Sequence, residues 1–89
     1  MRDLVIDAIK EINRELDIEE LRDLQDDSPI FELLDSMAIL DLVLELEDKL
    51  QQKYSRYIQI ADDKTMDTLN TPFKTLKTLL DCVEGKING

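Results

Sequence analysis

Apolar residues recur along the first sixteen positions at helical spacing: Leu4, Val5, Ala8, Ile9, Ile12 and Leu16 fall on one side, with Asp7, Lys10, Glu11, Arg14 and Glu15 on the other. This spacing makes one amphipathic face, and residues 3–16 are predicted to form a first helix. A second helix is predicted from Ser36 to about Tyr54, since Asp35 is a good N-cap and neither glycine nor proline interrupts the run. Ile58 and Ile60 alternate with polar residues as in a strand, but a lone strand has nothing to pair with, so an extended loop is expected. Asp62 or Asp63 can cap a short third helix carrying Met66 and Leu69. Thr71 followed by Pro72 reads as the N-cap and first position of a last helix. Phe73, Leu76, Leu79, Leu80 and Val83 give that helix one apolar stripe, and Gly85 suits its C-terminal cap. The expected fold class is all-α, a small four-helix bundle of three long helices and one short one.

Length and charge sharpen this picture. A chain of 89 residues is expected to be a single domain, 1–89, with one hydrophobic core. Sixteen acids and five bases in residues 1–50 give a net charge of −11, whereas five acids and six bases in residues 51–89 give +1. Eight of the acids fall between Asp17 and Asp35, where Arg22 is the one base. That stretch is read as a long acidic loop between the first and second helices, pinned to the core by Leu21, Leu24, Ile30, Phe31, Leu33 and Leu34. The overall charge of −10 disfavours binding to nucleic acid or anionic lipid and favours basic proteins or cations as partners. No apolar run is long enough to span a bilayer, and Arg2, Asp3 and Asp7 make the first ten residues unlike a signal peptide. A monomeric, cytoplasmic protein without membrane insertion is expected.

The second helix carries two apolar arcs. Ile39, Leu42, Val43, Leu46 and Leu50 form a stripe wide enough to face the core. Met37, Leu40 and Leu44 lie on the neighbouring arc, flanked by Asp41 and Asp48 on one side and by Glu47 and the Ser36 hydroxyl on the other. Both arcs are buried if the helix is central in the bundle. Otherwise the second is a docking surface, in which the apolar patch gives contact area and the carboxylates steer a basic partner.

Asp35 and Ser36 are the candidate chemical site. A serine in the first turn of a helix is ordinarily a cap-region residue. An ester phosphate on Ser36, however, would lie over the free N–H groups at the positive end of the second helix. The chain has no histidine, and an ordinary aspartate is a weak base, so a second enzyme must activate the hydroxyl.

Leu34-Asp35-Ser36-Met37 at the head of a Leu-rich acidic helix, preceded by an amphipathic helix and an acidic connection, resembles the acyl carrier proteins over nearly the whole chain. The resemblance implies that Ser36 is the covalent attachment site of 4′-phosphopantetheine, taken from coenzyme A, with Asp35 as its motif partner. A phosphopantetheinyl transferase (holo-carrier synthase) would attach the arm with a divalent cation, and its thiol would carry an acyl or aminoacyl thioester. Asp41, Glu47 and Asp48 match the family's acidic partner-binding positions, and Met37, Leu40 and Leu44 its apolar contacts. Partners implied are a ligase, ketosynthase or acyltransferase with a basic docking surface, in a lipid, polyketide or cell-surface pathway. Leu33 stands where the family usually has glycine, Ala38 where many members have an acid, and residues 51–60 are longer than in fatty-acid carriers. Leu33 to Met37 together with Asn70-Thr71-Pro72 looks like the D-alanyl carrier subgroup.

Other readings are weaker. Neither Asp23–Asp35 nor Asp62–Asp67 has the alternating ligands, central glycine and terminal glutamate of a calcium loop, so no metal site is expected. Cys82 reads as a small hydrophobe at the edge of the last helix's stripe; Tyr54 and Tyr57 either line a partner contact or cover the core edge, and the second reading is preferred. Without histidine or a glycine-rich phosphate loop, no catalytic residues are assigned and the chain is not expected to be an enzyme. The alternative to a carrier is an acidic helical adaptor that binds a basic protein without a prosthetic group.

Overall fold

The computed structural model describes residues 1–88. It is all-helical, with α1 (Arg2–Leu16), a single 3-10 turn (Glu19–Leu21), α2 (Ile30–Leu33), α3 (Ser36–Tyr54) and α4 (Leu76–Asn88), and there is no strand among the described residues. One apolar core joins the elements. It takes Val5, Ala8 and Ile9 from α1, Ile39, Leu42, Val43, Leu46 and Leu50 from α3, and Leu76, Leu79 and Val83 from α4, with Ile58, Ile60 and Phe73 from the segment between. α1 packs directly on α3.

Local chemistry explains where the helices stop. α1 ends because Asp17 turns left-handed at φ 53°, its N–H donating to the Asn13 carbonyl at 2.8 Å. Asn13 then fixes the exit: its Oδ1 accepts from the Ile18 N–H at 2.8 Å, and its Nδ2 donates to the Ile18 carbonyl at 3.0 Å. This amide is buried on the core side of α1, which is affordable because both its ends are satisfied. α3 ends in the same manner at Ser55, with φ 56° and its N–H on the Gln51 carbonyl.

The connection 17–35 is not one continuous loop. Leu21, Ile30 and Leu34 are buried, and the 3-10 turn and α2 form around them. The N–H groups of Leu76 and Lys77 in the first turn of α4 donate to the Ser28 and Asp26 carbonyls at 3.1 and 2.9 Å. Those amides have no acceptor within their own helix, so the connection satisfies them and α4 in turn holds the connection. Arg2 adds an exposed ion pair to Asp26 at 2.6 Å.

Three expectations are corrected. The predicted short helix after Asp62 does not form; the short helix is instead α2, before Ser36. Asp62 Oδ1 accepts from the Lys64 N–H, Thr65 Oγ1 from the Asp62 N–H, and Asp67 Oδ1 from the Leu69 N–H. These side-chain bonds fold residues 62–70 into successive turns in competition with a helix. The last helix begins at Leu76, not Pro72. Thr71 caps only a turn, accepting from the Phe73 N–H at 3.1 Å and donating to the Thr65 carbonyl at 2.6 Å. The cap of α4 is a reciprocal pair: Thr75 Oγ1 accepts from the Thr78 N–H and Thr78 Oγ1 from the Thr75 N–H. Gly85 lies inside α4 and not at its cap, since Ile87 beyond it packs on the core and Arg56 donates to the Ile87 carbonyl at 2.8 Å.

Candidate functional site

The start of α3 is the place where the candidate residues meet. Asp35 is extended at φ −78° and ψ 176°, and its Oδ1 accepts from the Ala38 N–H at 2.8 Å. Its carbonyl accepts from the Ile39 N–H at 2.9 Å, which starts the helical ladder. Two donors remain. The Ser36 and Met37 N–H groups find no acceptor among the described residues, and both point out of the positive end of a nineteen-residue helix. Ser36 is exposed, as are Asp35 and Met37 beside it, while Ala38 and Ile39 immediately behind are buried. The hydroxyl therefore sits on a rigid base with open approach.

The two arcs of α3 separate as their spacing implies. Ile39, Leu42, Val43, Leu46 and Leu50 are at most 4% exposed, whereas Met37, Leu40 and Leu44 are 70, 49 and 64% exposed. Ser36, Leu40 and Leu44 are four residues apart and form one row down the helix. Asp41 and Asp48 are exposed beside that row, and Asp48 accepts from the Gln52 side chain at 3.0 Å.

Glu47 does something else. It is half-buried, and its carboxylate turns onto the chain after α3, accepting from the Ile60 N–H at 2.9 Å, the Ala61 N–H at 3.5 Å and the Tyr57 hydroxyl at 3.1 Å. Expected among the partner-facing acids, it is the anchor of the long segment that follows the helix. Tyr57 consequently stands 61% exposed and does not cover the core edge as expected; desolvation first, then the hydrogen bond to Glu47 and the charge of Glu47, raise its pKa. Tyr54 does pack against the core, with the Lys53 ammonium 5.6 Å from its ring centroid.

Cys82 is half-buried, and burial pushes its thiol up, with Lys86 acting against the shift and Asp62 with it. A thiol so placed is a poor nucleophile at neutral pH. Among the described residues no three His, Cys, Asp or Glu side chains converge so as to hold a metal ion, and no helix is long and apolar enough to cross a membrane. Asn13, Glu47 and the Thr75–Thr78 pair are the structurally decisive polar residues that the sequence pattern did not single out for these roles. A faint signal existed for Asn13, which lies next to the apolar residues of the α1 wheel. Compared with family models, with curated proteins and with solved structures, the chain matches none.

Proposed function

We propose that this protein is an acyl carrier protein in which Ser36 bears a covalent 4′-phosphopantetheine arm. The supporting observation is the exposed Ser36 hydroxyl at the N-terminus of α3, where Asp35 caps only the Ala38 N–H and leaves two unpaired backbone N–H groups beside the hydroxyl. These donors fit a phosphodiester, because the helix start offers amides and partial positive charge in an otherwise acidic molecule. Asp35 does not obstruct the fit, since its Oδ1 is turned onto the Ala38 N–H. The arm, when bound, supplies a thiol that carries an acyl or aminoacyl group as a thioester.

Attachment forms an ester bond between Ser36 Oγ and the phosphate on the pantetheine half of coenzyme A. The pyrophosphate bond breaks, adenosine 3′,5′-bisphosphate leaves, and the hydroxyl proton passes to a base on the transferase, since the chain has no histidine. The residues of this chain hold the hydroxyl still and in solvent. Met37, Leu40 and Leu44 give a transferase or acyl-transferring enzyme its apolar contact, and Asp41 and Asp48 steer a basic surface toward it. A small acidic helical bundle acting as a cytoplasmic monomer suits this shuttle.

The test is co-expression with several phosphopantetheinyl transferases followed by intact mass measurement. Wild type should gain one phosphopantetheine and the Ser36→Ala variant none, with its helical circular dichroism unchanged. A wild type that stays unmodified with every transferase, or a variant that is still modified, overturns the reading in favour of an adaptor without a prosthetic group.

A further inference from the structure

We infer that the hollow at the C-terminal end of α1 is a docking site for a partner-protein helix that presents two carboxylates one turn apart. It measures about 370 Å³ and is lined by Lys10, Asn13, Arg14, Asp17, Leu21 and Arg22. Lys10 and Arg14 fall roughly half a turn around α1 from Ile12 and Leu16, so the hollow lies on a different side of that helix from its apolar edge. No residue of α3 lines it, and binding here is independent of Ser36 and of whether Ser36 is loaded.

The charge of this hollow runs against that of the chain. Residues 1–50 hold sixteen acids and five bases, and three of those five bases, Lys10, Arg14 and Arg22, meet here around one acid, Asp17. An even spread of the five would put fewer than one base among the six lining residues, so the fold has gathered them. A helix C-terminus draws cations to its last turn, which accounts for Arg14 but not for Lys10, six residues before Leu16, nor for Arg22, which lies after the 3-10 turn. All three are exposed. Lys10 has no carboxylate partner among the described residues. Arg14 contacts Glu11 at 3.5 Å and Arg22 contacts Asp17, each through a single N–H, so both guanidinium groups keep further donors. Exposed pairs of this kind are weak enough for an incoming carboxylate to share or replace them.

The base of the hollow is rigid. Leu21 is fully buried beneath it, and the Asn13 amide is held at both ends by the backbone of Ile18. Lys10 and Arg14 therefore project from a fixed helix one turn, or roughly 6 Å, apart, a spacing that matches Glu or Asp four residues apart on a partner helix. Long polyanions fit less well. At about 0.15 M salt the screening length is about 8 Å, so a short segment with two carboxylates feels chiefly the three bases. A nucleic acid or an anionic bilayer extends past them to the acids of the same half of the chain, Glu19, Glu20 and Asp23 among them. Inorganic phosphate offers no second group at one-turn spacing.

The experiment uses the full unmodified chain, isotopically labelled, at about 0.15 M salt. It is titrated with a blocked helical peptide of about 16 residues, rich in Ala and Gln and bearing two Glu four residues apart, with its Glu→Gln counterpart, and with inorganic phosphate. Expected is saturable movement of the signals of Lys10, Asn13, Arg14 and Arg22, the guanidinium protons included, with the Glu peptide. The Gln peptide and phosphate should each bind about tenfold more weakly or worse. Raising salt to about 1 M should lower the affinity for the Glu peptide about tenfold. Lys10→Gln combined with Arg14→Gln, both at exposed positions, should weaken it about tenfold while leaving the remaining amide signals in place. Equal responses to the Glu and Gln peptides, saturation by phosphate at the concentration that saturates with the Glu peptide, movement confined to residues outside the hollow, or undiminished binding by the double variant would each overturn the inference.

Discussion

At the scale of single residues, Asp35 has two separable properties, a cap and a charge. Its carboxylate closes the first turn of α3 on the Ala38 N–H, and an aspartate or asparagine in that position contributes about 1 kcal/mol over alanine. Asparagine keeps an oxygen of the same reach but lacks the negative charge beside Ser36. Asp35→Ala should therefore destabilise the protein by about 1 kcal/mol in urea unfolding, and Asp35→Asn by less than half of that. On the proposed carrier function, equal loss of phosphopantetheine attachment in both variants would mean that a transferase reads the charge of Asp35; loss in Asp35→Ala alone would mean that it reads the order of the helix start. Equal destabilisation by the two substitutions would show that the cap in the structure carries no free energy of its own.

At the scale of elements, the segment after α3 shows how one carboxylate can hold a loop. Ile58 and Ile60 are buried without any ladder of backbone hydrogen bonds, and the Glu47 carboxylate supplies acceptors for the Ile60 N–H and the Tyr57 hydroxyl. Glu47→Ala should raise hydrogen exchange at Ile60 and Ala61 and lower stability by about 1.5–3 kcal/mol, the range for hydrogen bonds to a charged group. The same substitution should bring the Tyr57 titration back toward that of a free phenol, followed by tyrosinate absorbance. Because the folded pKa of Tyr57 is raised, its contribution to stability is present below about pH 10 and is lost as pH rises through the folded value; Glu47→Ala should flatten that alkaline limb. Unchanged exchange at Ile60 would refute the anchoring role. These elements also show what was legible in the sequence. The limits of α1 and α3 and both arcs of α3 follow from periodicity and a cap within four residues, and those local signals survive packing. The start of α4 does not, because Thr71-Pro72 and Thr75 offer competing caps and the choice depends on Ser28 and Asp26, nearly fifty residues earlier in the chain. The position of Ser36 as an exposed helix-start residue was readable for the same local reason, whereas the inward turn of Glu47 depends on a loop whose path no period describes.

At the scale of the whole molecule, the balance of charge becomes a question of range. The described ion pairs engage six of the 21 acids, most of them on exposed side chains, where a pair contributes about 0–1 kcal/mol. The remaining acids repel one another within a body of 32 × 27 × 23 Å. At about 10 mM salt the screening length is about 30 Å, so every part of the molecule feels the rest, whereas at about 1 M it is about 3 Å and only adjacent charges interact. Net repulsion of this kind opposes the compact state. Raising potassium chloride across that range should therefore increase the melting temperature by several degrees, a gain on the order of 1 kcal/mol for a domain of this size. Replacing the exposed Glu19 and Glu20 by Lys takes the net charge from −10 to −6, since each exchange adds two units. That double variant should melt higher than wild type at low salt and show a shallower dependence on salt. A melting temperature that falls as salt is added would mean that the six ion pairs outweigh the repulsion, and the acidity of residues 1–50 would then be part of what holds the fold together and not a charge the core must overcome.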